Sequence, residues 1–230
     1  MSEHEHAHLD PLTHVAQPDH PDAVAMARVE AGRAIRDIGH ALVGHHAPLD
    51  TIERVAAVLD GLTAELLSGA PRNRSQVSRE GEWDGPPADG ELLSTYDERP
   101  VSGRASPWGL DITVERQGDE IVSWVTLRSA HEGAPSRSHG GIVAALFDDV
   151  FGFVLTFLAE PAFTGELSIR YEAGTPIGVP LECRVRLAER AGRKLLMTGE
   201  LRDGDKVVAR AKATFITIPR EHFHQISTQG

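Results

Sequence analysis

Residues 140–159 form a long apolar run without proline, opened by two glycines behind a histidine: Ser138-His139-Gly140-Gly141-Ile142-Val143-Ala144-Ala145-Leu146-Phe147-Asp148-Asp149-Val150-Phe151-Gly152. A helix of about twenty residues is roughly 30 Å long. Because it is apolar nearly all round, it belongs at the centre of a fold, and the rest of the chain has to cover it. The same length would span a bilayer. Two adjacent aspartates at its middle, each costing about 2.5–3.5 kcal/mol there, argue against insertion.

The aspartates are the first candidates for chemistry, since a carboxylate inside an apolar helix is costly unless it is paired or used. The plainer alternative is that Asp148 and Asp149 face a solvated crevice. Successive helix positions differ by about 100°, so only one of the two points squarely into a given site. The glycine pair suggests a second role. The first N–H groups of a helix have no internal partner and carry the positive end of its dipole. Without a Cβ, a ligand can approach them closely, which makes an anion or oxyanion site. A tight turn is the bland alternative.

The flanking segments read as helices before and strands around this run. Residues 21–44 repeat Val24, Ala27, Ala31, Ala34, Ile35, Ile38 and Leu42 at three and four, and residues 49–68 repeat Leu49, Ile52, Val55, Ala56, Leu59, Leu62 and Leu66. The two predict an N-terminal helical hairpin over 21–69. Such a pair cannot bury both stripes alone, so it packs on the main domain, on a partner subunit or on itself. Residues 70–98, broken by Pro71, Gly81, Gly85, Pro86, Pro87 and Gly90, read as a linker. From Leu110 the period becomes two, first through Leu110, Ile112 and Val114, then in Ile121–Leu127. After the central helix come Leu167-Ile169-Tyr171, Leu181-Cys183-Val185-Leu187, and two strands joined by Asp203-Gly204, a hairpin signal. Strands joined by short turns and one buried helix make an α+β layer fold on an antiparallel sheet.

A net charge of −11 argues against general nucleic-acid or anionic-membrane binding. One cysteine, Cys183, excludes an intramolecular disulfide and fits the strand's core face. A reducing, cytoplasmic location is expected, and Met-Ser-Glu-His-Glu-His lacks the pattern of a secretory leader. Residues 1–20 hold His4, His6, His8, His14 and His20 without an ordered carboxylate or cysteine partner, so a disordered tail is expected rather than a metal site. Residues 221–230 read as a second tail. No metal or other cofactor is expected.

Several short motifs are more specific: His131-Glu132-Gly133-Ala134-Pro135, then His139-Gly140-Gly141, Asp148 nine positions after that histidine, Thr164 sixteen after the aspartate, Ser168-Ile169-Arg170-Tyr171, and Thr175-Pro176. Together, inside the β-β-α-β order, they resemble the PaaI-like hotdog acyl-CoA thioesterases over residues 99–218. The resemblance implies a hotdog fold at 99–220, an antiparallel sheet wrapped around a long central helix. It implies hydrolysis of an acyl-CoA thioester, with Asp148 as general base or nucleophile and Thr164 positioning the water or the acid. It also implies the Gly140 N–H as the donor that polarises the thioester carbonyl, His139 beside it, and Gly141, Gly133 and Phe147 as substrate-binding positions. Members often carry Asn or Gln six residues before the histidine, where this chain has Gly133. That departure feeds a rival reading, a non-catalytic acyl-CoA binder or sensor. A hydratase on the same fold and an interaction protein acting through its hairpin are further rivals. Of the aromatics, Trp108, Trp124, Phe147, Phe151, Phe153 and Phe157 either line an acyl tunnel or pack the core.

Distance adds an expectation independent of the family. Gly140 and Asp148 are eight residues apart on one helix, about 12 Å along its axis. Donor and base must each come within about 3 Å of the reacting atoms. If both are catalytic, they come from different chains, so a homodimer or a dimer of dimers (homotetramer) with shared sites is expected.

Overall fold

The computed structural model describes residues 23–72, 86–93 and 96–219. Two helices come first, α1 (Ala23–Gly44) and α2 (Leu49–Leu67). The sheet begins with β1 (Leu92–Leu93), β2 (Thr113–Gln117) and β3 (Glu120–Thr126), followed by the short pair β4 (Glu132–Ala134) and β5 (Arg137–Ser138). The central helix α3 (Gly140–Leu158) leads into β6 (Ala162–Tyr171), β7 (Pro180–Ala191), β8 (Lys194–Asp203) and β9 (Lys206–Thr217). Seven strands make one sheet in the order β1-β2-β3-β7-β8-β9-β6, every neighbour antiparallel. This is the α+β hotdog arrangement expected from the sequence.

The core follows from period and composition. Leu181, Cys183 and Val185 of β7 and Leu195, Met197 and Leu201 of β8 turn one face of the sheet inward. Val143, Leu146, Phe147, Val150, Phe151 and Val154 of α3 are buried against it. At about 1.5–3 kcal/mol for each large side chain removed from water, this layer dominates the favourable side of folding. The helix is long and apolar enough to cross a membrane by length and composition, but here most of it lies inside the fold. Ala159 ends it in a left-handed conformation, φ 58°, with its N–H on the carbonyls of Leu155 and Thr156.

Three local features differ from the sequence reading. The alternation from Leu110 does not start a strand, because Asp111 takes φ 51° and breaks the extended run; β2 begins at Thr113. The stretch read as a linker ends earlier than residue 98, since Leu92 and Leu93 pair with Glu115 and Val114 as the edge strand β1. In α1 the buried residues are Gly32, Arg36 and His40, while Val24, Ile35 and Leu42 of the apolar stripe are exposed. Polar bonding explains the inversion. Arg36 reaches the carbonyls of Arg104 and Ser106 at 2.9 and 2.5 Å and Asp111 Oδ1 at 2.6 Å. Gly32 lies so close to the Ala105 carbonyl that a Cβ would come within 2.4 Å of its oxygen. In α2 no residue is buried. The expected tails, with the N-terminal histidines, and residues 73–85 of the expected linker lie outside the described residues.

Candidate active site

The two ends of α3 near the chemistry are built differently. At its start His139 is the N-cap, and its Nδ1 accepts the Gly141 N–H at 3.0 Å. In the neutral ring an Nδ1 used as acceptor leaves the hydrogen on Nε2. The Ile142 N–H turns back to the His139 carbonyl at 3.0 Å. Among the described residues, no acceptor lies within hydrogen-bond distance of the Gly140 N–H. It is a helix-terminal donor, aligned with the positive end of the dipole and left available. The Tyr171 hydroxyl donates to the Gly140 carbonyl at 2.8 Å and would stand 3.1 Å from a Cβ at this position.

Two turns down, Asp148 and Asp149 part company as a 100° step requires. Asp148 is exposed, and the Thr164 hydroxyl donates to its Oδ1 at 2.9 Å. Thr164 owes its position to a bulge: the β6–β9 register slips between Thr164 and Glu166, around Gly165. Asp149 faces inward, 6% exposed, with Arg99 Nε on its Oδ1 at 2.6 Å. Burial raises its carboxyl above the usual carboxylate range, while the Arg99 guanidinium and the Ser102 hydroxyl pull it back down. The guanidinium fits because Gly152, one turn on, has no side chain in its way. Asp149 is therefore held in a buried ion pair, and Asp148 is the exposed carboxylate of the two.

The loop before α3 explains Gly133. A Cβ there would sit 2.7 Å from His139 Cα, so the close crossing of the two segments leaves no room for the amide side chain common at this position. The Glu132 carboxylate accepts the Ser136 N–H at 2.6 Å and closes the turn between β4 and β5. Thr175 and Pro176 back that hairpin: the Ser138 N–H bonds the Thr175 carbonyl at 2.8 Å, and Arg137 bridges Pro176.

Residues 137–210 match the family model described as the thioesterase superfamily. Over these residues the chain is similar to the thioesterase superfamily. It is similar to acyl-coenzyme A thioesterase THEM5 of Mus musculus, 29% identical over 96 residues, covering 41% of this chain and 39% of that protein. THEM5 of Homo sapiens is 30% identical over 92 residues, 39% of this chain and 37% of that protein. The chain thus spans about two fifths of the length of these curated relatives. A crystal structure of a thioesterase superfamily protein superposes with a TM-score of 0.65 at 27% identity, covering 85% of this chain and 96% of the other. That coverage is wider than the sheet and α3 alone and reaches into the N-terminal helices.

The fold brings Asp148 and Thr164 together at the middle of α3 and sets His139, Gly140 and Gly141 at its start, two turns away. Gly133 packs under His139. Phe147 is fully buried and stacked on Phe151 at 6.1 Å, in the core rather than on the Asp148 face. Burial raises the Cys183 thiol well above its ordinary value, so this thiol is no nucleophile. Sequence reasoning named Tyr171 within its motif without giving it a role, and it missed Arg99 and, in α1, His40. The four-residue spacing of Gly32, Arg36 and His40 was the signal available for the last. Among the described residues, no group of His, Cys, Asp and Glu could hold a metal ion.

Proposed function

We propose that the protein hydrolyses an acyl-CoA thioester to free coenzyme A and a carboxylic acid, in a site shared by two copies of the chain. The observation that carries the reading is the Thr164–Asp148 bond at 2.9 Å, which fixes one oxygen of an exposed carboxylate. In this mechanism Asp148 takes a proton from water, whose oxygen attacks the acyl carbon. The Gly140 N–H of the other copy stabilises the developing oxyanion, assisted by His139 Nε2–H. Collapse of the tetrahedral intermediate breaks the C–S bond, and the departing thiolate takes up the proton held by Asp148. A direct attack by Asp148 on the thioester would use the same geometry.

The eight-residue separation on α3 supports a homodimer or a dimer of dimers as the working unit. So does β6, a ten-residue strand that among the described residues pairs with β9 alone and forms an edge of the sheet, with Thr164 on it. No nucleic-acid or membrane partner is part of this proposal, and the compartment we propose is the cytoplasm.

Thiol release from short, medium, long and aromatic acyl-CoAs tests it. Wild type is expected to turn over at least one class. Asp148→Asn is expected to lower kcat by about 10²–10⁴-fold with KM little changed. Thiol release by Asp148→Asn at the wild-type rate would overturn the assignment. Acyl-CoA binding without thiol release from any substrate would make the protein a binder.

A further inference from the structure

Away from Asp148, two buried imidazoles meet edge to face: His40 of α1 and His131 of the 3-10 turn Ser129–His131, with centroids 4.6 Å apart and rings at 86°. Their exposures are 6% and 8%. His40 Nδ1 accepts the Ala130 N–H at 3.0 Å, and the His40 carbonyl accepts the Ser129 hydroxyl at 2.8 Å. His131 Nδ1 accepts the Arg128 N–H at 3.0 Å. A ring nitrogen that accepts a backbone N–H carries no hydrogen, so both imidazoles are neutral in this arrangement. Burial accordingly pushes both below the ordinary histidine value, His131 to about 4. The charged groups facing the pair are Arg36 and Asp37 from α1 and Asp111 and Arg128 from the domain.

The far side of the same turn touches the site. The His131 carbonyl accepts the His139 N–H at 2.8 Å, and the next N–H along the chain is that of Gly140. α1 cannot drift from this seat easily, given the Gly32–Ala105 contact, the Arg36 bonds and the Asp37–Arg128 ion pair at 2.7 Å.

We propose that His40 is a positioning residue for the oxyanion donor: by gripping the 129–131 turn through its Nδ1 and its carbonyl, it sets where the His131 carbonyl holds His139 and hence where the Gly140 N–H points. The N-terminal helix is then part of the catalytic apparatus rather than an appendage. The rate readout rests on the thioesterase reading; the geometric readout does not.

The test compares His40→Ala, His40→Asn and His40→Gln in the full chain. Asn places an acceptor oxygen where Nδ1 stands, and Gln places it one methylene too far. His40→Ala and His40→Gln are expected to lose about tenfold or more in kcat with KM within about twofold, because a displacement of about 1 Å at a donor is costly to the reaction and not to ground-state binding. His40→Asn is expected to recover most of kcat. Ile35→Ala, on the solvent face of α1, is expected to match wild type. In parallel, the amide resonance and hydrogen exchange of Gly140 are expected to shift in the Ala and Gln variants and return in Asn. If His40→Ala does not fold, the Asn and Gln pair carries the comparison. Wild-type kcat together with an unmoved Gly140 amide in the folded Gln variant would overturn the proposal. A wild-type protein that releases no thiol from any acyl-CoA would overturn the thioesterase reading, and the Gly140 amide would still decide the positioning role.

Discussion

Asp148 and Asp149 are neighbours in sequence and opposites in circumstance, and their substitutions should separate stability from turnover. Removing the carboxylate at 149 takes away the largely buried ion pair that Arg99 Nε makes with it at 2.6 Å. Asp149→Ala is expected to cost about 3–5 kcal/mol, seen as a large drop in the urea midpoint. Asp148→Asn changes an exposed side chain and is expected to leave that midpoint within about 0.5 kcal/mol of wild type while kcat collapses. A larger drop for Asp148→Asn than for Asp149→Ala would mean that the two roles are reversed. Gly133 offers a second check. Gly133→Asn installs the side chain common in the resembling family, but its Cβ would meet His139 Cα at 2.7 Å. It is expected to lower kcat rather than raise it, in the same thiol-release assay. The resemblance singled out Asp148 by its nine-residue spacing to His139, and of the two aspartates Asp148 is the exposed one. The partner of Asp149 was not legible, because Arg99 lies fifty residues upstream in irregular chain and no local pattern links the two.

At the scale of elements, α3 and the strands from β3 onward were readable because period and burial agree: strands alternate, and a helix apolar all round is central. Which face of α1 docks on this chain was not legible, for an equally physical reason. Its apolar stripe is real, but three specific polar and steric contacts at Gly32, Arg36 and His40 decide which face docks, and hydropathy gives no weight to them. That docking should depend on pH. His131 titrates near 4 when folded and near the ordinary value of 6.5 when unfolded. Between those values the unfolded chain binds more protons, so acid favours it: stability is full above about pH 6.5, declines toward pH 4 and levels off below. His40, also lowered, adds to the same slope. Unfolding midpoints measured from pH 7.5 to 4 are expected to fall accordingly, and in His131→Asn the slope is expected to be shallower by about one proton. An unchanged slope would show that His131 is not buried neutral.

Across the whole molecule, an active site split between copies makes a prediction that no single-chain site shares. Gly140 is the first residue of α3, a position where proline keeps the helix and removes the N–H. Gly140→Pro and Asp148→Asn are each expected to be inactive alone. Refolded together in equal amounts, they are expected to recover about a quarter of wild-type activity, since half the dimers are mixed and each mixed dimer has one intact site. A mixture as inactive as its components would mean that donor and base act within one chain.

The wrapping of α3 also bears on synthesis. The helix lies against β3, β6, β7 and β9, yet β9 ends at Thr217, about 60 residues after Leu158. At roughly 5–20 residues per second, a ribosome would present a membrane-length apolar segment for about 3–12 s before the last strand that shields it has been made. Nascent chains arrested before β9 are therefore expected to bind chaperones and to pellet, while chains released after Thr217 stay in the supernatant.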